Sequence, residues 1–350
     1  MGTIGHGLRW MVVVGLALAS GCAHHVNVGY TVPAQVDLPA DVETVLVVNR
    51  AVPKNAGETV LDAAEGWITG EGFETDHDTT ELALGAVVEV LQETERFDVV
   101  RATVAPSAAG TSLFDRPLDT QTALRLCRRH DCDAIVSIDA LDTDSAGSMT
   151  RTGDVHEGRT DSNIRATFRV VDGRTGQVLD QASLAAATSS ENAGDRDTAA
   201  AAASQGAVHQ ADLSYGAGLD YGRRIAPHQV VSMRPYYTTG DPQLREARRA
   251  VKAGRWGAAK RIWRQLTKGD DPKLAAKAQY NLALAAEVEG RLERAHDLAR
   301  EAAHRWGSGR NLRYVAQLGQ RLEDQRRLEV QMAGVWGPPE AAAPLATLSR

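Results

Sequence analysis

Val42-Glu-Thr-Val-Leu-Val-Val-Asn49 is a short run in which nearly every residue is apolar or β-branched. Such a run is typical of a strand that is buried on both faces. Two later runs have the same character, Phe97-Asp-Val-Val-Arg101 and Asp133-Ala-Ile-Val-Ser-Ile-Asp139. Apolar residues with helical spacing stand between them, from Leu82 to Leu91 and again from Ala123 to Leu126. Alternating strands and helices predict a sheet that is covered by helices.

A β-hairpin is predicted further along the chain. Apolar and polar residues alternate from Ile164 to Val171, a turn follows over 172–177, and Val178 to Leu184 forms the returning strand. Residues 141–160, before the hairpin, are polar and contain glycine. They predict no clear element.

The end of this region has one more helix and one more strand. An alanine-rich stretch from about 195 to 221 favours a helix, and residues 227–237 are typical of a closing strand. Neither G-x-G-x-x-G nor G-x-x-x-x-G-K follows the first strand, so nucleotide binding is not expected. We predict an α+β fold over residues 42–238, in which a mixed sheet has covering helices.

Beyond Pro242 the sequence pattern is purely helical and self-similar. Three positions recur 36 residues later: Gly254, Ala259 and Trp263 as Gly290, Ala295 and Ala299. These segments resemble tetratricopeptide repeats, in which the glycine makes the turn between two helices and the small residue lets them cross closely. We predict an all-α, tetratricopeptide-like repeat domain over residues 241–335 and a disordered tail over residues 336–350.

The strand motifs also carry a resemblance to bacterial envelope proteins. The order of Phe97-Asp-Val-Val, Asp133-Ala-Ile-Val and a hairpin around Asp172-Gly-Arg-Thr-Gly176 is similar to the curli-secretion lipoprotein CsgG, the penicillin-binding-protein activator LpoB and the N-terminal domain of TolB. Together with the repeat tail, Val47-Val-Asn-Arg50 and Ala226-Pro-His228 resemble a family of bacterial lipoproteins of unknown function. The resemblance implies an envelope location and supplies no activity. A CsgG-type pore is not expected, because residues 141–162 are too polar and irregular for membrane hairpins.

Residues 1–21 have the order of a secretory signal: Arg9, a ten-residue apolar run, then Ser20-Gly21. The run is too short to span a bilayer. Ala19-Ser-Gly-Cys22 resembles the lipobox of bacterial lipoproteins, in which the cysteine thiol is acylated, although Ala19 stands where leucine is commonest. We therefore predict lipidation of Cys22, and plain secretion with an incidental cysteine is the alternative.

The residue after Cys22 bears on which membrane carries the lipid anchor. Ala23 stands where such lipoproteins often carry the aspartate that retains them at the inner membrane. We therefore expect a lipid anchor in the outer membrane, with the protein facing the periplasm. Residues 22–41 are polar, contain two prolines and lack helical spacing, so they predict an extended tether.

Cys127 and Cys132 are the other two cysteines of the chain. In an oxidising periplasm a local disulfide between them is the natural interpretation. A metal site with His130 lacks a fourth ligand nearby, and two reduced, buried cysteines are a further alternative. No metal and no other cofactor is expected.

The charge is distributed unevenly along the chain. Residues 241–336 contain 20 Lys and Arg against 12 Asp and Glu, whereas the remainder contains 19 against 33. This division indicates a domain boundary and a C-terminal part that contacts an anionic surface or partner. Solvated, arginine-rich helix faces are the alternative.

Two pairs of residues on either side of the last predicted strand are candidates for partner binding: Arg223 with Arg224, and Tyr236 with Tyr237. Arginine and tyrosine are enriched at interface hot spots. Packing between the two domains is the alternative.

The motifs of common enzymes are missing from this sequence. It contains no G-x-S-x-G and no H-E-x-x-H, so we expect no enzyme and no nucleic-acid partner. We expect a membrane-anchored scaffold or adaptor that binds envelope proteins or peptide segments through the repeats, and the bilayer through acylated Cys22. The alternative is an oligomerising accessory subunit of an envelope secretion or transport assembly.

The lipid anchor can be tested directly. Cys22→Ala is expected to move the protein from the membrane fraction to the periplasmic fraction, since the acyl chains are the proposed anchor. Detergent phase partitioning and the mass of the N-terminal peptide measure this. A Cys22→Ala protein that stays firmly with the membranes contradicts lipidation.

Overall fold

The computed structural model describes residues 24–51, 73–102 and 118–336. The predicted signal peptide, Cys22 and residues 337–350 of the predicted tail lie outside these residues. Within the described part of the chain, no helix has the length and apolar character needed to cross a membrane.

The described elements are α+β, with a mixed sheet and its helices followed by a helical C-terminal region. The strands are β1 (His25–Val32), β2 (Thr44–Asn49), β3 (Asp98–Arg101), β4 (Ala134–Thr152), β5 (Val155–Asp172), β6 (Val178–Gly194) and β7 (His228–Pro235). The helices are α1 (Phe73–Glu93), α2 (Thr120–His130), α3 (Arg196–Ala203), α4 (Gly206–Ile225), α5 (Pro242–Lys252), α6 (Trp256–Leu266), α7 (Pro272–Val288), α8 (Leu292–Arg305), α9 (Gly309–Gln331) and α10 (Ala333–Trp336).

The main sheet has the strand order β3-β2-β4-β5-β6. β2 pairs in parallel with β3 and with β4, and β5 is antiparallel to both β4 and β6. The four central residues of β2, from Val45 to Val48, are each at most 1% exposed. Val45 and Val47 pack in one hydrophobic core, and Leu46 and Val48 pack in a second core on the opposite face. β2 is therefore buried on both faces, which is why its sequence is nearly all apolar.

Helices cover the two faces of this sheet. The larger core contains residues of α1 and α4, among them Leu84, Leu91 and Tyr221. The smaller core contains Ala123 and Cys127 of α2. Since helices lie on both sides of the parallel strands, the sheet is the middle layer of this part of the molecule.

β4 and β5 are longer than the sequence pattern indicates. They pair from Ala134 opposite Asp172 to Thr152 opposite Val155, with a register shift between Ile138 and Ala140, so residues 141–160 form two paired strands and the turn between them. Thr160 and Ser162 of β5 are buried, and the Thr160 Oγ1 donates a hydrogen bond to the backbone oxygen of Ala202 at 2.6 Å. Because the face under α3 is made of small and polar residues, it lacks the apolar alternation that predicts a strand.

The predicted tether over residues 22–41 is wrong for its described part. β1 pairs with β7 in a two-stranded sheet, and the Tyr236 backbone N–H donates to the His24 oxygen at 3.2 Å. The signal was present in the sequence, since apolar residues occupy every second position from Val26 to Val32. The chain is thus part of a sheet from its first described residues onward.

The rest of the predicted tether also packs against folded structure. The buried Arg96 side chain donates to the backbone oxygens of Leu38 and Pro39 at 3.0 and 3.1 Å. The backbone N–H of Ala34 donates to Gln331 Oε1 at 2.8 Å. These bonds satisfy the polar backbone of an irregular segment, as a buried segment requires.

The chain divides into two compact units. The helical unit contains residues 24–28 and 232–316, and the sheet unit contains residues 29–231 and 317–336. This division differs from the predicted boundaries of 42–238 and 241–335, because the last part of α9 groups with the sheet unit.

Two helix pairs in the helical unit have the predicted 36-residue spacing. α5 and α6 are joined at Gly254, and α7 and α8 at Gly290, with φ angles of 69° and 72°. This left-handed conformation is one that glycine adopts without strain. Ala259 and Ala295, at equivalent positions of the second helices, are fully buried. The sequence repeat therefore corresponds to a repeated helix–turn–helix.

The packing of α1 against α4 can be tested with two glycines of the same helix. A Cβ atom at Gly218 would lie 2.0 Å from the Ala83 backbone oxygen, whereas nothing lies within 4 Å of a Cβ at Gly216. Gly218→Ala is expected to destabilise the protein by about 1–3 kcal/mol because the helices must separate. Gly216→Ala is expected to stabilise it by up to about 1 kcal/mol through helix propensity. Thermal unfolding followed by circular dichroism measures both, and equal effects would contradict this packing.

Candidate functional site

An open groove lies between α8 and α9 of the helical unit. α8 buries one face, which includes Leu292, Ala295 and Ala302. Its opposite face points to solvent because the charged residues recur at helical spacing. The groove has a volume of about 860 Å³ and is lined by Arg294, Asp297, Arg300, Glu301, Ala303, His304, Arg305, Leu312, Val315 and Ala316.

Three arginines and two acids, Asp297 and Glu301, line this groove, so its formal net charge is +1 with His304 neutral. Arg305 donates to the Thr267 backbone oxygen at 3.0 Å, and Glu301 accepts a hydrogen bond from the Gln279 amide. Arg294 and Arg300 are exposed, and neither forms an ion pair with another described residue. Their guanidinium groups are therefore available to a carboxylate or phosphate from outside.

An apolar wall stands opposite the charges of α8. Leu312 on α9 is 55% exposed, and Val315 lies one turn further along the same helix. The groove thus offers an apolar strip beside basic side chains. This combination suits a segment that has apolar residues on one side and acidic residues on the other.

Tyr237, one of the predicted partner-binding residues, is held inside the helical unit. Its backbone N–H donates to Asn281 Oδ1 at 2.8 Å, and its hydroxyl donates to Asn311 Oδ1 at 3.0 Å. Its ring lies 4.7 Å from the Arg310 guanidinium and packs edge-on against Tyr280. These contacts use both the polar and the aromatic parts of the side chain within the unit.

Tyr236 is buried, and burial raises the pKa of its hydroxyl. Arg224 belongs to the sheet unit and forms a two-pronged ion pair with Asp180, at 3.0 and 2.7 Å. Arg223 is exposed, and its nearest acid, Asp220, lies 3.8 Å away. Of the four candidates, Arg223 alone directs its charge toward solvent.

A disulfide joins Cys127 to Cys132. It closes the end of α2, where Asp131 has a φ of 52° and the Cys132 N–H donates to the Cys127 oxygen at 3.1 Å. Among the described residues, no group of three or more His, Cys, Asp or Glu side chains could hold a metal ion. Cys22 lies outside the described residues.

A buried cluster of charges in the sheet unit was not predicted from the sequence. Asp139 is 2% exposed and accepts hydrogen bonds from Arg50 Nη1 at 2.6 Å, from Arg169 and from Ser137. Arg169, which is 1% exposed, also donates to Gln181 on β6. The cluster joins β4, β5 and β6 through side chains. In the sequence, Asp139 and Arg169 stand out because they are charged residues inside otherwise apolar strands.

One serine stands next to a histidine. Ser162 Oγ lies 3.3 Å from His209 Nδ1 and 3.3 Å from Ser145 Oγ. Ser162 is only 3% exposed, and no described carboxylate is hydrogen-bonded to His209. The pair therefore lacks the third group and the accessible nucleophile of a hydrolytic triad.

A family model described as a domain of unknown function, DUF8603, matches residues 42–237. This chain belongs to the DUF8603 family. The DUF8603 match covers the main sheet and its helices, and β7. A second model, a domain of unknown function named DUF6340, matches residues 245–320, which include most of α5 and all of α6 to α8. No curated protein matches the chain.

Solved structures share low similarity with the chain. A PelC dodecamer from Paraburkholderia phytofirmans is 13% identical over 57% of this chain and 99% of that chain, with a TM-score of 0.22. Lipoprotein GNA1162 from Neisseria meningitidis is 15% identical over 42% and 84%, with a TM-score of 0.20. The hypothetical protein CT253 from Chlamydia trachomatis is 12% identical over 52% and 96%, with a TM-score of 0.25. At these identities and TM-scores, the solved structures do not indicate a function for this chain.

Proposed function

We propose that this protein is a lipid-anchored envelope lipoprotein that acts as a protein–protein interaction scaffold. Acylated Cys22 is its anchor, in the outer membrane and facing the periplasm. The tetratricopeptide-like helices bind a partner in the groove between α8 and α9. The observation that carries the proposal is this groove of about 860 Å³, in which two exposed arginines form no ion pair with another described residue.

The partner is an acidic, amphipathic segment of another envelope protein. Its apolar side packs on Leu312 and Val315, and its carboxylates pair with Arg294 and Arg300. Exposed ion pairs contribute about 0.2–1 kcal/mol each, so the charges select the partner and orient it. Burial of Leu312 and of the apolar groups that meet it supplies the larger part of the affinity, at about 25 cal/mol per Å².

This role needs no chemical turnover by the protein. The helical unit presents one surface, and the sheet unit supplies a second surface for an envelope component. A scaffold of this kind acts by bringing two proteins together at the membrane, which raises their effective concentration.

Charge reversal in the groove tests the proposal in intact cells. A photo-crosslinking amino acid at Leu312 is expected to capture a discrete protein, and Arg294→Glu with Arg300→Glu is expected to remove that product. Arg261→Glu with Arg264→Glu is the matched control, because both residues are exposed on α6 outside the groove. Gel mobility of the crosslinked species and mass spectrometry of the captured protein are the measurements.

Two results would contradict the groove as the binding site. One is a product that survives reversal of Arg294 and Arg300, and the other is a product lost equally in the α6 control. Circular dichroism of each variant verifies that it is folded.

A second function is favoured by β6, which is an edge of the main sheet. β6 has 17 residues, contains neither lysine nor proline, and buries only Asp180. Edge strands are usually protected by charge, proline or bulges. The two acids of β6, Asp180 and Glu191, each pair with an arginine of the same unit, and its register shift against β5 lies near Val178, so most of this edge can pair with another strand. The alternative is therefore a subunit that oligomerises through its sheet, in a secretion or transport assembly.

Light scattering of the detergent-solubilised, full-length protein separates the two functions. A mass of several chains in addition to the detergent is expected for the assembly subunit, because each copy has the same free edge. A single-chain mass at all concentrations favours the scaffold and contradicts the assembly function.

A further inference from the structure

The acylation site is separated from the folded helical unit by a very short length of chain. The His24 backbone oxygen accepts a hydrogen bond from Tyr236, and β1 begins at the next residue. Two peptide steps join Cys22 to His24 and span at most about 8 Å. A lipid anchor at Cys22 therefore holds this part of the helical unit at the level of the lipid headgroups.

Two histidines stand at this point, His24 directly before β1 and His25 as its first residue, and α5 belongs to the same unit. Burial lowers the pKa of His24, and the nearby charges of Arg248, Lys252 and His25 lower it further. The charge of Arg248 also lowers the pKa of the Tyr236 hydroxyl, against the larger opposite effect of burial. Tyr236, which is hydrogen-bonded to His24, stands only six residues before Pro242, the first residue of α5. α5 therefore belongs to the part of the helical unit that lies near the anchor.

α5 has a clear division between its two faces. Leu244, Ala247 and Ala250 are buried in the helical unit. The remaining surface of the helix and of the turn that follows it has five basic residues and one acid: Arg245, Arg248, Arg249, Lys252 and Arg255 against Glu246. None of the five forms an ion pair with another described residue. Their positive charge is therefore not neutralised within this part of the protein.

We propose that the basic face of α5 binds the anionic phosphates of the bilayer that carries the acyl chains. The inference rests on the proposed anchoring through Cys22. It assigns α5 as the membrane-facing surface of the helical unit and leaves the groove of α8 and α9 for the protein partner.

Charge and side-chain composition favour a lipid surface over a protein partner. In α5, which is described throughout, no large apolar side chain is exposed. Protein interfaces usually need an apolar or aromatic centre for their affinity. A basic, amphipathic helix beside a lipid anchor is typical of a surface that binds anionic headgroups. Basic residues and acyl chains bind the same membrane, so the basic face of α5 strengthens the attachment that the lipid anchor provides.

Vesicle binding by an unacylated chain tests the basic face without the anchor. The mature chain with Cys22→Ser is mixed with phosphatidylcholine vesicles that contain about 30% phosphatidylglycerol, or none, and sedimented. Arg248→Glu with Lys252→Glu is compared with the groove variant, Arg294→Glu with Arg300→Glu. Both variants change the net charge of the helical unit equally, so the groove variant is the matched control.

The chain is expected to bind the anionic vesicles and to be released at about 0.5 M salt, since screening weakens exposed charges. The two reversals remove two basic residues and add two acids, so binding is expected to weaken by at least about 25-fold, at roughly fivefold for each basic residue removed. The groove variant is expected to bind as tightly as the parent chain. In intact cells, the groove crosslink is expected to survive the α5 substitutions.

Three results would overturn the inference. The first is that the chain shows no preference for anionic vesicles. The second is that the α5 variant and the groove variant weaken vesicle binding equally. The third is that the α5 variant loses a protein crosslink and still binds the vesicles. The proposed anchor fails separately, when the mass of the N-terminal peptide shows an unmodified Cys22. An unmodified cysteine in a chain that still binds anionic vesicles through α5 would refute the anchor and retain the basic face.

Discussion

The fold depends on the burial of β2 on both of its faces. The connections between parallel strands place helices on the faces of the sheet, so a central parallel strand is covered on both sides and its residues are apolar. Val45 and Val47 contact the larger core, and Leu46 and Val48 contact the smaller one. α1, α4 and α2 are placed by this requirement. The remaining strands extend the sheet in one direction, away from the parallel part.

Buried polar contacts then determine the strand register and the path of the chain, which apolar burial alone does not specify. Asp139, Arg169 and Gln181 join three neighbouring strands, and a shift of any strand by one residue would break these bonds. Removing one partner of such a pair is costly because the other charge is left buried. Arg96 has the same effect on an irregular segment, whose backbone oxygens it satisfies. These residues specify the register and the path of the chain, and the hydrophobic cores supply the stability.

Local periodicity in the sequence predicted the elements that have strong short-range patterns. These are the strand at β2, the hairpin turn near Asp172 and the helix pairs around Gly254 and Gly290, and the structure has them at those places. β1 was assigned to a tether because its alternating pattern is short and lies next to prolines, and its partner strand is about 200 residues away. The far part of β4 and β5 was not predicted because its covered face consists of small and polar residues.

The candidate sites also divide into features that the sequence indicates and features that only the tertiary structure shows. The basic character of the C-terminal helices was evident from residue counts, but the groove requires knowledge of which helix faces remain uncovered. Arg224, Tyr236 and Tyr237 were chosen for their residue types, and each of them has contacts inside its own unit. Residue type indicates what a side chain can do, whereas only the tertiary structure shows whether it is already engaged.

The pairing of β1 with β7 has a consequence for the order of events during biogenesis. Closing a loop of this length is slow compared with forming a helix pair or a hairpin from neighbouring residues. A chain that crosses a membrane from its N-terminus presents β1 first and β7 only after most of the polypeptide has emerged. Under the export proposed for this chain, β1 therefore stays unpaired until β7 has arrived, and the chain next to β1 stays accessible to processing enzymes until then.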